Sequence, residues 1–141
     1  MEFQWNDELL TGADDIDAHH RKLFFRVNAL LQACTQQKGK DEIGNYLQFM
    51  MDYAAFHFTA EEREMTTYRY PRLAEHEAEH EAFKKRINEL NREFREFGAS
   101  IHVVLLAVRA SGDWLVKHVR GTDRKMAEFL KKKDGGVRIV L

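Results

Sequence analysis

Residues 71–98 read PRLAEHEAEHEAFKKRINELNREFREFG. Within this stretch, large apolar or histidine side chains recur every three or four positions, at Leu73, His76, His80, Phe83, Ile87, Leu90 and Phe94. This period predicts an amphipathic α-helix with one buried face. Proline is favoured in the first helical turn and glycine just past the last turn, so we expect the helix to begin at Pro71 and to stop at Gly98.

The same period predicts three further helices, over residues 17–35, 41–67 and 100–133. Each begins at a polar side chain that can accept a hydrogen bond from the first helical turn. These caps are Asp17, Asp41 and Ser100. Four long amphipathic helices joined by short turns predict an all-α fold, an up-down-up-down antiparallel four-helix bundle.

The chain has 141 residues, enough for a single domain with one core. We expect an extended N-terminal arm over residues 1–16, the bundle over 17–133 and a C-terminal tail over 134–141. The single cysteine, Cys34, excludes an internal disulfide and is expected to be a small core side chain.

Composition excludes several classes of function. The 22 basic and 23 acidic residues nearly balance, so there is no electrostatic signature of a nucleic-acid or membrane partner. We find no secretory signal and no apolar stretch long enough to span a bilayer. The expected location is therefore the cytoplasm, and the sequence predicts no particular protein partner.

Seven side chains able to bind metal occur in the four predicted helices, and all but Asp123 lie on their inward stripes. They are His20, His57, Glu61, His76, His80, His118 and Asp123. Residues four positions apart share a face of an α-helix, so the pair His57 and Glu61 points one way, as does the pair His76 and His80. This spacing is typical of a metal site inside a helical bundle.

Four of these histidines are also predicted to lie at one depth in the bundle. Each lies 18 to 20 residues from the turn at Gly39 or at Gly98. They are His20, His57, His80 and His118. At 1.5 Å per residue, all four lie about 27 to 30 Å from those turns, so they are expected to converge.

Asp123 is harder to place, because it follows His118 by five residues and a regular helix would rotate it about 140° away. We predict a π-type widening at Gly121 that returns Asp123 to the inner face. By the same test of helical phase, His19, His102 and Glu62 lie off the stripes. The two histidines are expected to face solvent.

The donor set suggests which metals fit. Imidazole and carboxylate ligands without thiolate suit iron, zinc, copper or manganese. Seven ligands are too many for one tetrahedral zinc, so two ions sharing the carboxylates fit better. If Glu61 and Asp123 both bridge, and one oxygen also bridges, all but one position of two octahedral ions are filled. That position suits a small diatomic molecule.

From about Trp5 to Leu130, the sequence resembles the hemerythrin family, specifically the single-domain bacteriohemerythrins. The matching segments are Ile16-Asp17-Ala18-His19-His20 through Leu23-Phe24, His57-Phe58-Thr59-Ala60-Glu61-Glu62 with Met65, Tyr70-Pro71, His76 with His80, and Trp114-Leu115-Val116-Lys117-His118-Val119 with Asp123. The sequence departs from the family pattern in two places: His19 replaces a usual glutamine, and the pair Ser111-Gly112 replaces larger residues.

The resemblance implies a non-haem diiron centre with an oxo or hydroxo bridge. One iron takes His76, His80 and His118, the other takes His20 and His57, and both carboxylates bridge. O2 binds reversibly at the open position of the second iron. The implied apolar lining of the ligand pocket is Phe58, Trp114, Leu115 and Val119.

The implied role is an oxygen carrier for storage or delivery and not an enzyme, with slow oxidase-type side reactions. Five neutral imidazoles outnumber two carboxylates, which disfavours the high-valent iron of carboxylate-rich oxidases. One alternative is a module that senses or detoxifies oxygen or nitric oxide. A distant alternative is a zinc metalloprotease, since His76-Glu77-Ala78-Glu79-His80 matches His-Glu-x-x-His, with Glu77 as general base.

Overall fold

The computed structural model describes residues 9–11 and 14–134, and this part of the chain is helical without any strand. The helices are α1 (Asp14–Thr35), α2 (Gly39–Thr67), α3 (Leu73–Phe97), α4 (Ile101–Lys117) and α5 (Arg124–Asp134), with a π-helical segment (His118–Asp123) between α4 and α5. The all-α prediction is confirmed. Most of the predicted arm and nearly all of the predicted tail lie outside the described residues.

α4, the π-helical segment and α5 together form one continuous helical rod. The backbone is right-handed helical at Lys117, just before the π-helical segment, and at Arg124, just after it. α1 packs on α2, α2 on α3 and α3 on α4, while α4 also contacts α1 and α2. Four long helical rods therefore surround a common interior, as the sequence pattern predicts.

Only one of the three predicted helix caps is present. Ser100 caps α4 and accepts a hydrogen bond from the backbone N–H of Val103 at 3.2 Å. The prediction for Asp17 is wrong, because α1 begins three residues earlier and the Asp17 carboxylate instead accepts hydrogen bonds from the N–H and the hydroxyl of Thr11, both at 2.8 Å. The prediction for Asp41 is also wrong: α2 begins two residues before it, and Asp41 lies in the first turn.

The turn after α2 explains why α3 begins later than predicted. Arg69 adopts a left-handed conformation with φ 55°, and the N–H of Tyr70 donates to the carbonyl of Met65 at 2.9 Å. This closes α2 with a Schellman-type cap. Pro71 therefore lies in the turn, and α3 starts two residues after it. Gly98, with φ 80°, ends α3 as predicted.

Buried apolar side chains form two clusters that are separated by a polar layer. The large apolar cluster includes Leu23 of α1, Phe58 of α2, Phe83 of α3 and Leu115 of α4. The small apolar cluster includes Ile16, Met65, Tyr70 and Met126. Cys34 packs against the large cluster with part of its surface exposed, and burial raises the pKa of its thiol. In every rod, the candidate metal ligands lie near the boundary between the two clusters.

Candidate metal centre

The seven predicted metal-binding side chains converge in two adjoining groups. Within each group, one donor atom per residue lies within 4.8 Å of the others. The larger group is Glu61, His76, His80, His118 and Asp123, and the smaller is His20, His57 and Glu61. All seven residues are at most 2% exposed. The predicted convergence of four separate helices is therefore present.

The Asp123 carboxylate faces both groups. One oxygen, Oδ1, lies 3.0 Å from Nε2 of His76 and 3.0 Å from Nε2 of His118. The other oxygen, Oδ2, lies 2.9 Å from Nε2 of His20. A carboxylate placed in this way can hold two ions by one oxygen each.

Glu61 is placed in a similar way. Its Oε1 lies 3.1 Å from Nε2 of His80 and 3.7 Å from Nε2 of His76. Its Oε2 lies 3.4 Å from Nε2 of His57. Each carboxylate thus directs one oxygen toward each group, which is the arrangement that two neighbouring ions require.

The π-helical segment is what brings Asp123 to the cluster. It begins at His118 and ends at Asp123, so the two residues that it must align are its ends. A π turn holds more residues than an α turn, which brings side chains five apart onto one face. The predicted widening is confirmed, and Gly121 lies within it.

Many polar atoms of the cluster are buried without a hydrogen-bond partner among the described residues. They are Nε2 of His20, His57, His76, His80 and His118, both carboxylate oxygens of Glu61, and Oδ1 of Asp123. A single buried polar atom left unsatisfied costs about 1 to 3 kcal/mol. So many at one point indicate that these atoms bind a group other than each other, and neutral imidazole with carboxylate is a donor set for divalent metal ions.

The electrostatics of the cluster favour a cation. Burial lowers the pKa of His118, but the facing Asp123 carboxylate outweighs burial and raises that pKa to about 10. In the same way, burial opposes protonation of His76, yet the facing carboxylates of Asp123 and Glu61 outweigh burial and raise its pKa to about 9. Burial would raise the pKa of the Asp123 carboxyl, but the His118 and His20 rings hold it well below its ordinary value. Two ionised carboxylates thus lie at the centre of the core, and in the metal-free protein protons on the facing imidazoles balance their charge.

Comparison with known proteins agrees with this geometry. A family model described as "Hemerythrin HHE cation binding domain" matches residues 11–130. The chain belongs to the hemerythrin family. The matched range includes all seven side chains of the cluster, so the family's cation-binding description applies to the part of the chain that holds the cluster.

Several curated relatives of this hemerythrin cover most of the chain. A bacteriohemerythrin of Stenotrophomonas maltophilia is 34% identical over 127 residues, 90% of this chain and 80% of the relative. A bacteriohemerythrin of Clostridium acetobutylicum is 29% identical over 126 residues, 87% of this chain and 97% of the relative. A hemerythrin-like protein of Naegleria gruberi is 24% identical over 131 residues, 87% and 89% respectively.

Two of the histidine rings contact acidic side chains through Nδ1, the ring nitrogen that faces away from the cluster. Nδ1 of His80 lies 2.8 Å from Oε2 of Glu62, and Nδ1 of His118 lies 2.8 Å from Oε1 of Glu79. The Thr122 hydroxyl donates to both oxygens of Glu79, at 2.8 and 2.9 Å. An imidazole that donates from Nδ1 keeps the lone pair of Nε2 for a metal, and the carboxylate raises its basicity.

Sequence reasoning missed these outer partners of the hemerythrin cluster. Glu62 lies beside the buried stripe of α2, so helical phase excluded it, although its carboxylate reaches His80 on the next helix. Glu79 received no role, although it directly precedes His80. The one available signal was position, since a long acidic side chain next to a ligand position can reach the edge of the site.

The expectation for His19 is wrong. Its ring is 8% exposed, and its Nδ1 lies 3.1 Å from Nδ1 of His57. Helical phase directs His19 away from the face of α1 that carries His20. α2 packs against the side of α1 to which His19 points, so His19 contacts His57 and Tyr53 of α2. His102, by contrast, is exposed as predicted.

The four predicted pocket residues belong to or contact the large apolar cluster, and two of them contact histidines of the candidate metal centre. Phe58 is stacked on His80, with ring centroids 3.9 Å apart and planes 6° from parallel. Trp114 is stacked on His118, with centroids 4.2 Å apart and planes 14° from parallel. Leu115 and Val119 are both buried. One side of the cluster is therefore covered by apolar and aromatic side chains.

The protease interpretation finds no support in this arrangement. A His-Glu-x-x-His zinc site would use His76, His80 and one further ligand, and it leaves the convergence of the other candidate ligands unexplained. The described residues also form no strand that would present a peptide substrate.

None of the helices over the described residues has the length and apolar character needed to cross a membrane.

Proposed function

We propose that this hemerythrin binds O2 reversibly at a non-haem diiron centre, as a carrier for storage or delivery. The single observation that carries the proposal is that Glu61 and Asp123 each direct one oxygen toward each of the two ligand groups. A site for a single ion would not need two carboxylates that each direct their two oxygens toward different ligand groups.

The proposed ligands divide between the ions as the two groups do. His76, His80 and His118 would hold one iron, and His20 and His57 would hold the other, with Glu61 and Asp123 bridging. The ion with two histidines then has one fewer protein ligand than its neighbour. This inequality is why we place the open coordination position, and therefore O2, at the His20 and His57 side.

The proposed fold places all of these residues on rigid elements. We propose that the four helical rods run up-down-up-down, because the turns between them are short, at residues 36–38, 68–72 and 98–100. Turns of this length join antiparallel neighbours. A site built from side chains on four packed helices is held more tightly than one built on loops.

When bound, the two irons would supply the electrons that O2 takes up and would recover them on its release. The protein residues would protect that exchange from water. Phe58 and Trp114 cover the His80 and His118 rings, while Leu115 and Val119 extend the apolar surface. An apolar wall excludes the protons that would trap reduced oxygen. Glu62 and Glu79 would orient their histidines by accepting hydrogen bonds from Nδ1.

The test is an O2 titration of the iron-loaded, anaerobically reduced protein, together with iron analysis. We expect two irons per chain and a visible charge-transfer band that appears with O2 and disappears when O2 is removed. Irreversible oxidation with turnover of a substrate would favour an enzyme instead. A band that forms only with nitric oxide would favour the sensing or detoxifying alternative.

A further inference from the structure

We propose that His19 is a positioning residue for His57: it accepts a hydrogen bond from Nδ1 of His57 and so fixes which ring nitrogen faces the metal. The proposal rests on the diiron function and assigns a role to a side chain outside the seven ligands. The two Nδ1 atoms lie 3.1 Å apart, and both residues are buried, at 8% and 1% exposure.

The direction of this hydrogen bond follows from the other end of the His57 ring. Nε2 of His57 lies 3.4 Å from Oε2 of Glu61 and has no hydrogen-bond partner among the described residues. If Nε2 binds a metal ion, its lone pair is used there, so the ring proton must be on Nδ1. The Nδ1 atom of His19 then has to be the acceptor, which requires the neutral tautomer of His19 with its proton on Nε2.

Ring packing holds His19 in the position that this hydrogen bond needs. Its ring meets His57 edge to face, with centroids 5.0 Å apart and planes at 88°. It also meets Tyr53 at 90°, with centroids 6.4 Å apart. Tyr53 in turn lies parallel to His57, at 6° and 6.3 Å. These ring contacts restrict rotation of the His19 side chain, whose Nδ1 lies 3.1 Å from Nδ1 of His57.

His19 also makes the two halves of the centre chemically different. His80 and His118 donate to carboxylates, whose negative charge strengthens them as ligands. His57 donates to a neutral imidazole, which fixes the ring without adding charge. The ion on the His20 and His57 side therefore has the more weakly donating imidazole support, in addition to having fewer ligands.

The test compares two substitutions at position 19 in the full-length protein. His19→Gln keeps an acceptor, the amide oxygen, whereas His19→Leu removes it and leaves the His57 N–H buried and unsatisfied. Fe(II) is titrated anaerobically against a competing chelator to obtain the affinities of the first and second ion. His102→Gln, a change at the exposed histidine of α4, is the matched control.

We expect His19→Leu to weaken binding of the second ion about 10- to 100-fold, the range found for partners of metal-binding histidines. The affinity for the first ion should not change. His19→Gln should stay within about threefold of the wild type, by the same reasoning. Equal affinities in wild type and His19→Leu would overturn the proposal, as would a Gln variant impaired as strongly as the Leu variant.

A second measurement avoids any dependence on whether the Leu variant folds. In the loaded wild-type protein, NMR should show a slowly exchanging Nδ1 proton on His57 with a nuclear Overhauser contact to the His19 ring. A rapidly exchanging proton without that contact would overturn the assignment of His19 while leaving the diiron function standing. Uptake of only one metal ion by the wild type would overturn both.

Discussion

Asp123 lies five residues after His118, and yet its Oδ1 is 3.0 Å from Nε2 of that histidine. On a regular α-helix the two side chains would diverge by about 140°. The π-helical segment between them removes that divergence. One irregular turn therefore allows a single carboxylate to face the His118 ring of its own rod and the His20 ring of α1.

The first prediction concerns this carboxylate. Asp123→Asn keeps the size of the side chain but removes the charge that faces His20, His76 and His118. We expect metal affinity to fall by about 100-fold or more, beyond the range for outer partners. Isothermal titration with a divalent ion measures it. Asp113→Asn, at an exposed position on α4, is the control and should bind as the wild type does.

The second prediction concerns the outer acid Glu79. Glu79→Gln removes the charge behind His118 but keeps a side chain that can still contact Thr122. We expect about 10-fold weaker binding of the ion on the His76, His80 and His118 side. Glu77→Gln on the same helix is the control and should have no effect. Peptidase activity that disappears in the Glu77 variant would instead support the zinc protease.

The third prediction concerns Gly98 and Gly121, where substitution by alanine should change the stability of the fold in opposite directions. Gly98 has φ 80° and ψ −178°, a conformation that is essentially restricted to glycine, so Gly98→Ala should destabilise the fold by about 1 to 3 kcal/mol. Gly121 has no positive φ, and a methyl group added there would meet no atom within 4 Å. Gly121→Ala should therefore stabilise the protein by about 0.5 to 1 kcal/mol.

Chemical denaturation of both variants checks this pair. A destabilised Gly121→Ala protein with lower metal content would show that the π-helical segment needs glycine for its flexibility. The structure gives no steric reason for such a need.

The fourth prediction concerns protons released on metal loading. In the metal-free protein, neighbouring carboxylates outweigh burial and raise the pKa of His118 to about 10 and that of His76 to about 9. Both imidazoles therefore carry a proton at neutral pH, and each must lose it before Nε2 binds a metal. Loading should release protons, and apparent affinity should rise with pH until it levels off near those values.

A pH-indicator dye during zinc titration in weak buffer gives the number of protons released. Asp123→Asn removes the charge that holds these protons most strongly, so it should release fewer of them per ion bound. An affinity that is independent of pH between 7 and 9 would contradict the prediction, because neutral imidazoles would then already be present.

The sequence by itself determined most of the cluster. Apolar stripes of helical period located the four rods, and the positions of histidines relative to Gly39 and Gly98 predicted a common depth. Even the π-type widening was predictable, because an acid five residues after His118 has no other route to the inner face. These features depend on periodicity within each helix and on residue counts from the turns, both of which the sequence records directly.

Helix starts were predicted less well, because capping residues compete for partners that sequence does not show. Asp17 has the chemistry of a cap, yet its carboxylate is occupied by Thr11 and α1 begins before it. Pro71 is suited to a first helical turn, but the cap that closes α2 extends the turn past it.

Only the tertiary structure decided which side chains contact the outer nitrogens of the clustered histidine rings. Phase along α1 placed His19 outside the core, and phase along α2 did the same for Glu62. Both are nevertheless hydrogen-bonded to histidines of neighbouring helices. Helical phase gives the direction of a side chain relative to its own axis. Whether another helix fills that direction depends on how the rods pack, and local periodicity carries no information about that packing.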